Sequence, residues 1–471
     1  MDMRLRALNR FGLGARIGEA RERFDPRGWL RGQLESDRAG AATRPDETCW
    51  PGAISLEDAG RVFGELRAAQ RNRDQEAIAA SRRRLGEVRN AEASSLLNAR
   101  IGSEVPFVER LIAFWSNHLC VSIAAKPQIS VLAGHYERTV IRPHALGRFE
   151  DMVLASAKHP AMLFYLDNFQ SIGPGSRVGR GTARRGNARG LNENHARELL
   201  ELHTLGVDGG YTQADVEALA RILTGWSVAG VGPGSRPDER MGFAFRPIAH
   251  EPGAKTVMGN RYGEAGVREG ERAIRDLCRH PSTARFVSTK LVRHFVDDDP
   301  PDSAVATIER TFLETEGDLR EVSAALIDLD EAWDERHTKL RTPQDWLVAV
   351  MRAVRAEEVP PQLVQILQQL RHTPWAPASP KGYGDTRGEW ADPDGLMNRA
   401  ELARSLAQRA FGARRGSRGS LGRADDPDPT VILSVIDADA DDPLIRMVED
   451  RSIPAGERFA LAIGGPAFQW R

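Results

Sequence analysis

Asn194, Arg197, Glu198 and Glu201 fall within one short stretch, GLNENHARELLELHTLG. On a helix at 100° per residue, Asn194, Glu198 and Glu201 share one face and Arg197 lies at its edge. Ala196, Leu199, Leu200 and His203 point the other way. Two carboxylates on one face can serve as general acid and general base if their environments separate their pKa values, for example on a glycosidic bond. With an imidazole from another helix, they could instead hold one divalent metal ion. The ordinary alternative is a solvated face backed by a core histidine, with an Arg197–Glu201 pair worth about 0.3 kcal/mol.

Contributions from elsewhere would have to come from His118 in WSNH, Asn168 in YLDN and His250 in HEPG. Trp226, Tyr211 and Trp115 could stack on a sugar, although core packing is the commoner use of such rings. The paired Glu-x-x-His signature of di-metal bundles is absent, and Glu201-x-His203 puts those two side chains on nearly opposite faces. Neither GxSxG, a P-loop nor HExxH occurs. No cofactor is specified; a divalent metal is the one these residues admit. GPGSRVGRGTARRG could form an anion-binding nest, and His294 falls in a core-like helix.

The elements that must position these residues are helical. Apolar residues recur at helical spacing from Pro106 (PFVERLIAFWSNHLCVS), through LGRFEDMVLASAKHPAMLFYLDN, and again after Gly270. Thr212 with Asp215, and Thr342 with Pro343, read as helix starts. His159-Pro160 and His280-Pro281 read as punctuation between helices. MGFAFRPIAHEPGAKTVMGNRY, residues 241–262, is the candidate β-hairpin. The fold class expected is mainly α, a multi-helix orthogonal bundle-like body with one short β-hairpin. Residues 1–410 read as a single large body and 411–471 as a loose linker with a small helical segment. Within the body, 56–100 reads as a long, exposed, charged helix or helix pair, and 171–190 as a flexible Gly/Arg loop.

Composition bounds the function. The 471 residues carry 65 Lys plus Arg against 66 Asp plus Glu, for a net charge of -1. A dedicated polyanion binder needs a basic excess, so nucleic acid is not the expected partner. Only Lys126, Lys158, Lys255, Lys290, Lys339 and Lys381 are lysines; every other basic residue is arginine. The ordinary reading of that bias is a GC-rich genome, which makes it weak evidence for phosphate recognition. Cys49, Cys120 and Cys278 are too far apart for a CxxC site, and the latter two read as buried small hydrophobes. No apolar run is long enough for a membrane helix, and the first residues lack a signal-peptide core. The expected location is therefore cytoplasmic.

Several stretches together resemble one bacterial family, the domain of unknown function 1800 family. They are RFGLGAR, FWSNHLCVS at Phe114, HPAMLFYLDNFQSIGPGS at His159 and the 190–227 segment. They continue with HEPGAKTVMG at His250, HPSTARFVSTKLVRHFV at His280, KLRTPQDWLVAVMRAV at Lys339 and SPKGYGDTRGEW at Ser379. The resemblance spans nearly the whole chain and implies no agreed activity. Many members look exported, and position 195, His here, is more often aromatic in the family. The expected function is an enzyme with a polar, acidic pocket, hydrolase-like, acting on a glycan or other polymer. Its catalytic set would be Asn194, Arg197, Glu198 and Glu201, with His118, Asn168, Trp226 and His250 binding substrate. The alternative is a non-catalytic binding or assembly protein using residues 56–100 and the Arg/Gly loop.

Overall fold

The computed structural model describes residues 2–21, 23–35, 37–44, 50–183, 190–230, 240–334, 339–356, 362–412, 429–438 and 441–471. Expectations for Cys49, 184–189 and 413–428 lie outside the described residues. The chain is mainly α, with two small antiparallel strand pairs.

Helices begin where the side chains can cap them. Thr212 and Asp215 form a reciprocal box at the start of Gln213–Ile222, with Thr212 N–H donating to Asp215 at 2.8 Å. Thr342 caps Pro343–Ala353, with proline in the first turn. His159 and His280 act as caps in their own right. Each Nδ1 accepts a backbone N–H, from Ala161 and Ser282 respectively, at 3.1 Å.

Strand β1, Trp226–Val228, pairs with β2, Phe243–Phe245; β3, Lys255–Val257, pairs with β4, Asn260–Tyr262. The expected hairpin over 241–262 is therefore β3–β4, while Phe243–Phe245 pairs back with β1. The β3–β4 turn is Met258-Gly259, with φ of 49° and 78°. Positive φ at both positions gives the mirror-image turn whose twist matches the strands. The Met258 N–H donates to the second oxygen of Asp215 at 2.7 Å. One carboxylate thus both caps a helix and anchors the hairpin.

Residues 56–100 do not form a uniformly solvated helix. They make two helices, Leu56–Asn72 and Gln75–Gly102, separated at left-handed Arg73 and capped anew by Asp74. Their inner faces bury Val62, Phe63, Leu66, Leu85, Val88, Leu96 and Leu97. Glu92 is buried against Arg138. The Gly/Arg loop is also partly corrected, because Arg177–Ala183 is helical. Ser176 Oγ accepts the Gly179 N–H at 3.0 Å, starting the turn. A Cβ on Gly179 would lie 2.2 Å from the Gly173 carbonyl oxygen, so the close packing that permits this helix needs the glycine.

Two apolar cores result. The larger gathers Phe107, Leu111, Trp115, Phe149, Leu219, Trp226 and Phe295. The second surrounds Pro343–Ala353 and takes Leu8 and Leu13 from one end of the chain and Ile463 and Phe468 from the other. Residues 441–471 are accordingly part of a packed core; Arg341 N–H donates to Gln469 O at 2.7 Å and Arg471 N–H to Lys339 O at 3.0 Å. Buried arginines link the segments through backbone carbonyls. Arg352 reaches Gly14 O at 3.0 Å, Ile101 O at 3.0 Å and Ser103 O at 2.9 Å. These bonds satisfy Nε and Nη1 and offset much of the cost of burying the guanidinium, while Nη2 has no hydrogen-bond partner among the described residues.

Candidate active-site cleft

Between the cores lies a cleft of about 220 Å³. One wall is Pro106–His118, contributing Arg110, Phe114, Asn117 and His118; a second is Pro281–Phe295, contributing Lys290, Arg293 and His294. Thr342, Gln344 and Asp345 close a third side, and the 372–389 segment covers it with His372, Tyr383 and Asp385.

That covering segment is tightly held. Asn117 pairs with the Tyr383 backbone, donating to its carbonyl at 2.9 Å and accepting its N–H at 2.8 Å. A Cβ on left-handed Gly382 would lie 2.5 Å from the Asn117 carbonyl oxygen, so only glycine permits this approach. Trp390 Nε1 donates to Gly384 O at 2.8 Å, and the Lys339 ammonium donates to Asp385 O at 2.5 Å.

So held, Asp385 places its Oδ2 2.8 Å from His294 Nδ1. Its Oδ1 is 3.5 Å from Arg471 Nη2. The imidazole of His294, then Lys339, hold the Asp385 carboxyl at about 2 despite the opposing effect of burial. Asp385 is therefore an anion across the physiological range. It accepts the Nδ1–H of His294, which leaves Nε2 as the ring nitrogen outside that bond. Nε2 is buried and has no hydrogen-bond partner among the described residues. A histidine oriented by a carboxylate, with its other nitrogen available, is the arrangement of a general base.

His118 differs. Its Nε2 lies 3.1 Å from His203 O and its Nδ1 lies 3.0 Å from the Lys290 ammonium. Only an N–H can face that carbonyl, so Nδ1 accepts and Lys290 donates. Burial, then the Lys290 charge, keeps the His118 ring neutral, well below its usual pKa. Cys120 also lines the cleft, but its thiol is pushed up to about 12 by burial and is no thiolate nucleophile.

The residues singled out from sequence are scattered. His118 lies in the cleft. Glu198 is close enough to Cys120 and Tyr165 for its charge to act on both, yet it is not in the wall. The Asn194–Glu198 helix continues into a wider π-turn over Leu199–His203, so the regular wheel that aligned Glu198 with Glu201 does not hold past Glu198. Arg197 bonds Glu201 at 3.4 Å, Glu193 at 3.1 Å and Gln213 at 2.7 Å. The Glu198 side chain has neither a hydrogen bond nor an ion pair among the described residues. Burial, followed by the Glu201 charge, raises its carboxyl above the usual range. Asn194 is exposed.

Asn168 is a buried structural amide, donating to Leu223 O and Trp226 O at 3.1 Å each. Trp226 is fully buried against Gly270 and offers no face to a sugar. His250 belongs to a separate buried cluster, 3.1 Å from Glu269, whose other oxygen meets Lys255 at 3.0 Å. Among the described residues, no three His, Cys, Asp or Glu side chains gather as a metal site. No helix there is long and apolar enough to cross a membrane.

His294, Asp385, Lys290 and Arg110 were missed because each looks ordinary on its own element. A usable signal did exist. FWSNHLCVS, HPSTARFVSTKLVRHFV, KLRTPQDWLVAVMRAV and SPKGYGDTRGEW, stretches that carry the family resemblance, all contribute to this one cleft.

The family model described as "Protein of unknown function (DUF1800)" matches residues 6–470, and the chain belongs to that family. No curated protein and no solved structure matches it.

Proposed function

We propose that the cleft is the active site of an acid–base enzyme, with His294 as general base and Asp385 as the residue that positions it. The observation carrying this reading is the 2.8 Å His294–Asp385 contact together with the buried, unpartnered Nε2 of a histidine that lines the cleft. The reaction that fits is hydrolysis: Nε2 takes a proton from water as the water attacks an ester-type centre. In the wall Arg110 is paired with Asp345 and Arg100 lies 4.0 Å from Glu137, while Asp345 and Asp385 both also meet Arg471; Lys290, Arg293 and Lys381 have no carboxylate ion pair among the described residues. That balance favours an anionic substrate, drawn in by charge.

The test is a panel of chromogenic carboxylate, phosphate and sulfate esters, with binding of each corresponding acid followed by calorimetry. Turnover that falls about 100-fold or more in both His294→Gln and Asp385→Asn supports the proposal. Turnover unaffected by His294→Gln, or neither turnover nor His294-dependent binding anywhere in the panel, overturns it.

A second reading rests on Glu198. Its raised, unpartnered carboxyl stands beside Arg197-paired Glu201, which is the divergence of environments an acid/base pair on a glycan requires. Loss of glycosidase activity in Glu198→Gln, with His294→Gln unaffected, would favour it over the cleft.

A further inference from the structure

Lysine is rare in this chain, and most lysines are neutralised. Lys126 meets Asp167 at 2.7 Å, Lys255 meets Glu269 at 3.0 Å, Lys339 meets Asp298 at 2.5 Å, and Lys158 is paired with Glu271. Lys381 is exposed. Lys290 fits neither group. It is half-buried in the cleft wall, has no carboxylate partner among the described residues, and donates to the neutral His118 ring at 3.0 Å. Nearly every other cation in this protein is arginine, and several of those are buried. Arginine would supply the same positive charge here, so binding an anion does not require lysine. What lysine adds is a proton it can lose and, once neutral, a nucleophilic nitrogen.

Lys290 also precedes His294 by four residues on the Pro281–Phe295 helix, so the two side chains stand one turn apart on the same face. Both line the cleft. An amine and a free imidazole nitrogen side by side are the parts needed to form an imine and then work on it.

We propose that Lys290 is a nucleophilic amine that condenses with the carbonyl group of a small anionic oxo-acid bound in the cleft. The proposal shares with the preceding section the premise that the cleft binds anionic ligands; it does not require hydrolysis. The neutral amine donates its lone pair to the carbonyl carbon, a C–N bond forms, and the carbonyl π pair moves to oxygen. A proton passes from nitrogen to that oxygen, giving a carbinolamine. The hydroxyl then leaves as water with the proton that remains on nitrogen, as the nitrogen electron pair closes the C=N bond of the imine. His118 acts as a positioning residue, because its acceptor nitrogen fixes one amine hydrogen. The titratable groups near enough to act on the amine are His118, Cys120, His203, Arg293, Lys381 and Asp385. Burial is the largest influence on its basicity and pushes it down to about 8, with Arg293 and Lys381 adding to the fall and Cys120 and Asp385 opposing it.

The experiment is reductive trapping in the full chain. The protein is incubated with glyoxylate and cyanoborohydride, whose hydride reduces an imine to a stable carboxymethyl-lysine. Peptide mass spectrometry then follows each lysine over time and across pH. An amine titrating near 8 instead of 10.4 carries about a hundredfold more free base at neutral pH, partly offset by weaker nucleophilicity. Lys290 is expected to be modified about tenfold or more faster than exposed Lys381, with a rate that saturates in glyoxylate. Trapping reads imine formation with no ester present, so this result stands or falls separately from the hydrolysis test. Modification of Lys290 no faster than Lys381, or at a rate linear in glyoxylate, would overturn the proposal.

Discussion

His195 is the clearest residue-scale cost in the structure. It is fully buried, and neither ring nitrogen has a hydrogen-bond partner among the described residues. Burial alone pushes its pKa down to about 4. A histidine depressed in the folded state leaves stability complete above its unfolded pKa, near 6.5, and withdraws it as pH falls towards 4, because only the unfolded chain takes up the proton. The shift corresponds to roughly 3 kcal/mol across that window. His195→Phe removes both the unpartnered nitrogens and the titration. We predict that urea denaturation will show it as stable as the parent or more so at pH 7, and more stable by roughly 3 kcal/mol at pH 4. Equal acid sensitivity in the two proteins would contradict the assignment. The adjacent ion pair differs: Arg197 and Glu201 remain partly solvated, so their pairing adds little to stability.

Among the elements, the sign of a glycine substitution depends on what the helix faces. Gly86 and Gly270 both lie within helices, where alanine is favoured by about 1 kcal/mol. A Cβ on Gly86 would find only the tip of the Arg89 side chain, at 4.0 Å. A Cβ on Gly270 would sit 2.6 Å from Trp226 Cζ2 in the core. Gly86→Ala should therefore raise stability by about 0.5–1 kcal/mol, and Gly270→Ala should lower it by about 1–2 kcal/mol because overpacking outweighs propensity. Thermal unfolding of the two variants side by side checks the contrast; the same sign for both would refute it.

The same distinction explains what could be read from sequence. Thr212 with Asp215 and Thr342 with Pro343 were legible because a cap is a local bond between near neighbours. The buried inner face of 56–100 was not, because apolar anchors such as Leu85 and Val88 are outnumbered by charges that face outward. The π-turn after Glu198 was illegible to a wheel that assumes a constant angle per residue. His294 looked like core because its chemistry comes from Asp385, far along the chain.

For the whole molecule, histidine burial extends well beyond position 195. His118 and His159 are held well below the usual pKa, His135 is at about 4, and His203 and His372 are at about 3, each mainly through burial. His135, His203 and His372 are therefore mostly neutral in the folded chain at pH 5, whereas the unfolded chain protonates them. Stability should therefore fall steeply and cooperatively between pH 6.5 and 4, with uptake of several protons on unfolding. A shallow pH dependence in a urea-denaturation series, matching one proton or fewer, would contradict this picture.

The cleft is assembled from remote stretches of chain: Asn117 meets Tyr383 across 266 residues. Closing so long a loop is entropically slow, while helices with local contacts form early. Refolding should then separate into two kinetic stages. Helical signal returns first, and ligand binding at the cleft returns only with the final docking of 372–390, so an assay of binding would time the completion of folding.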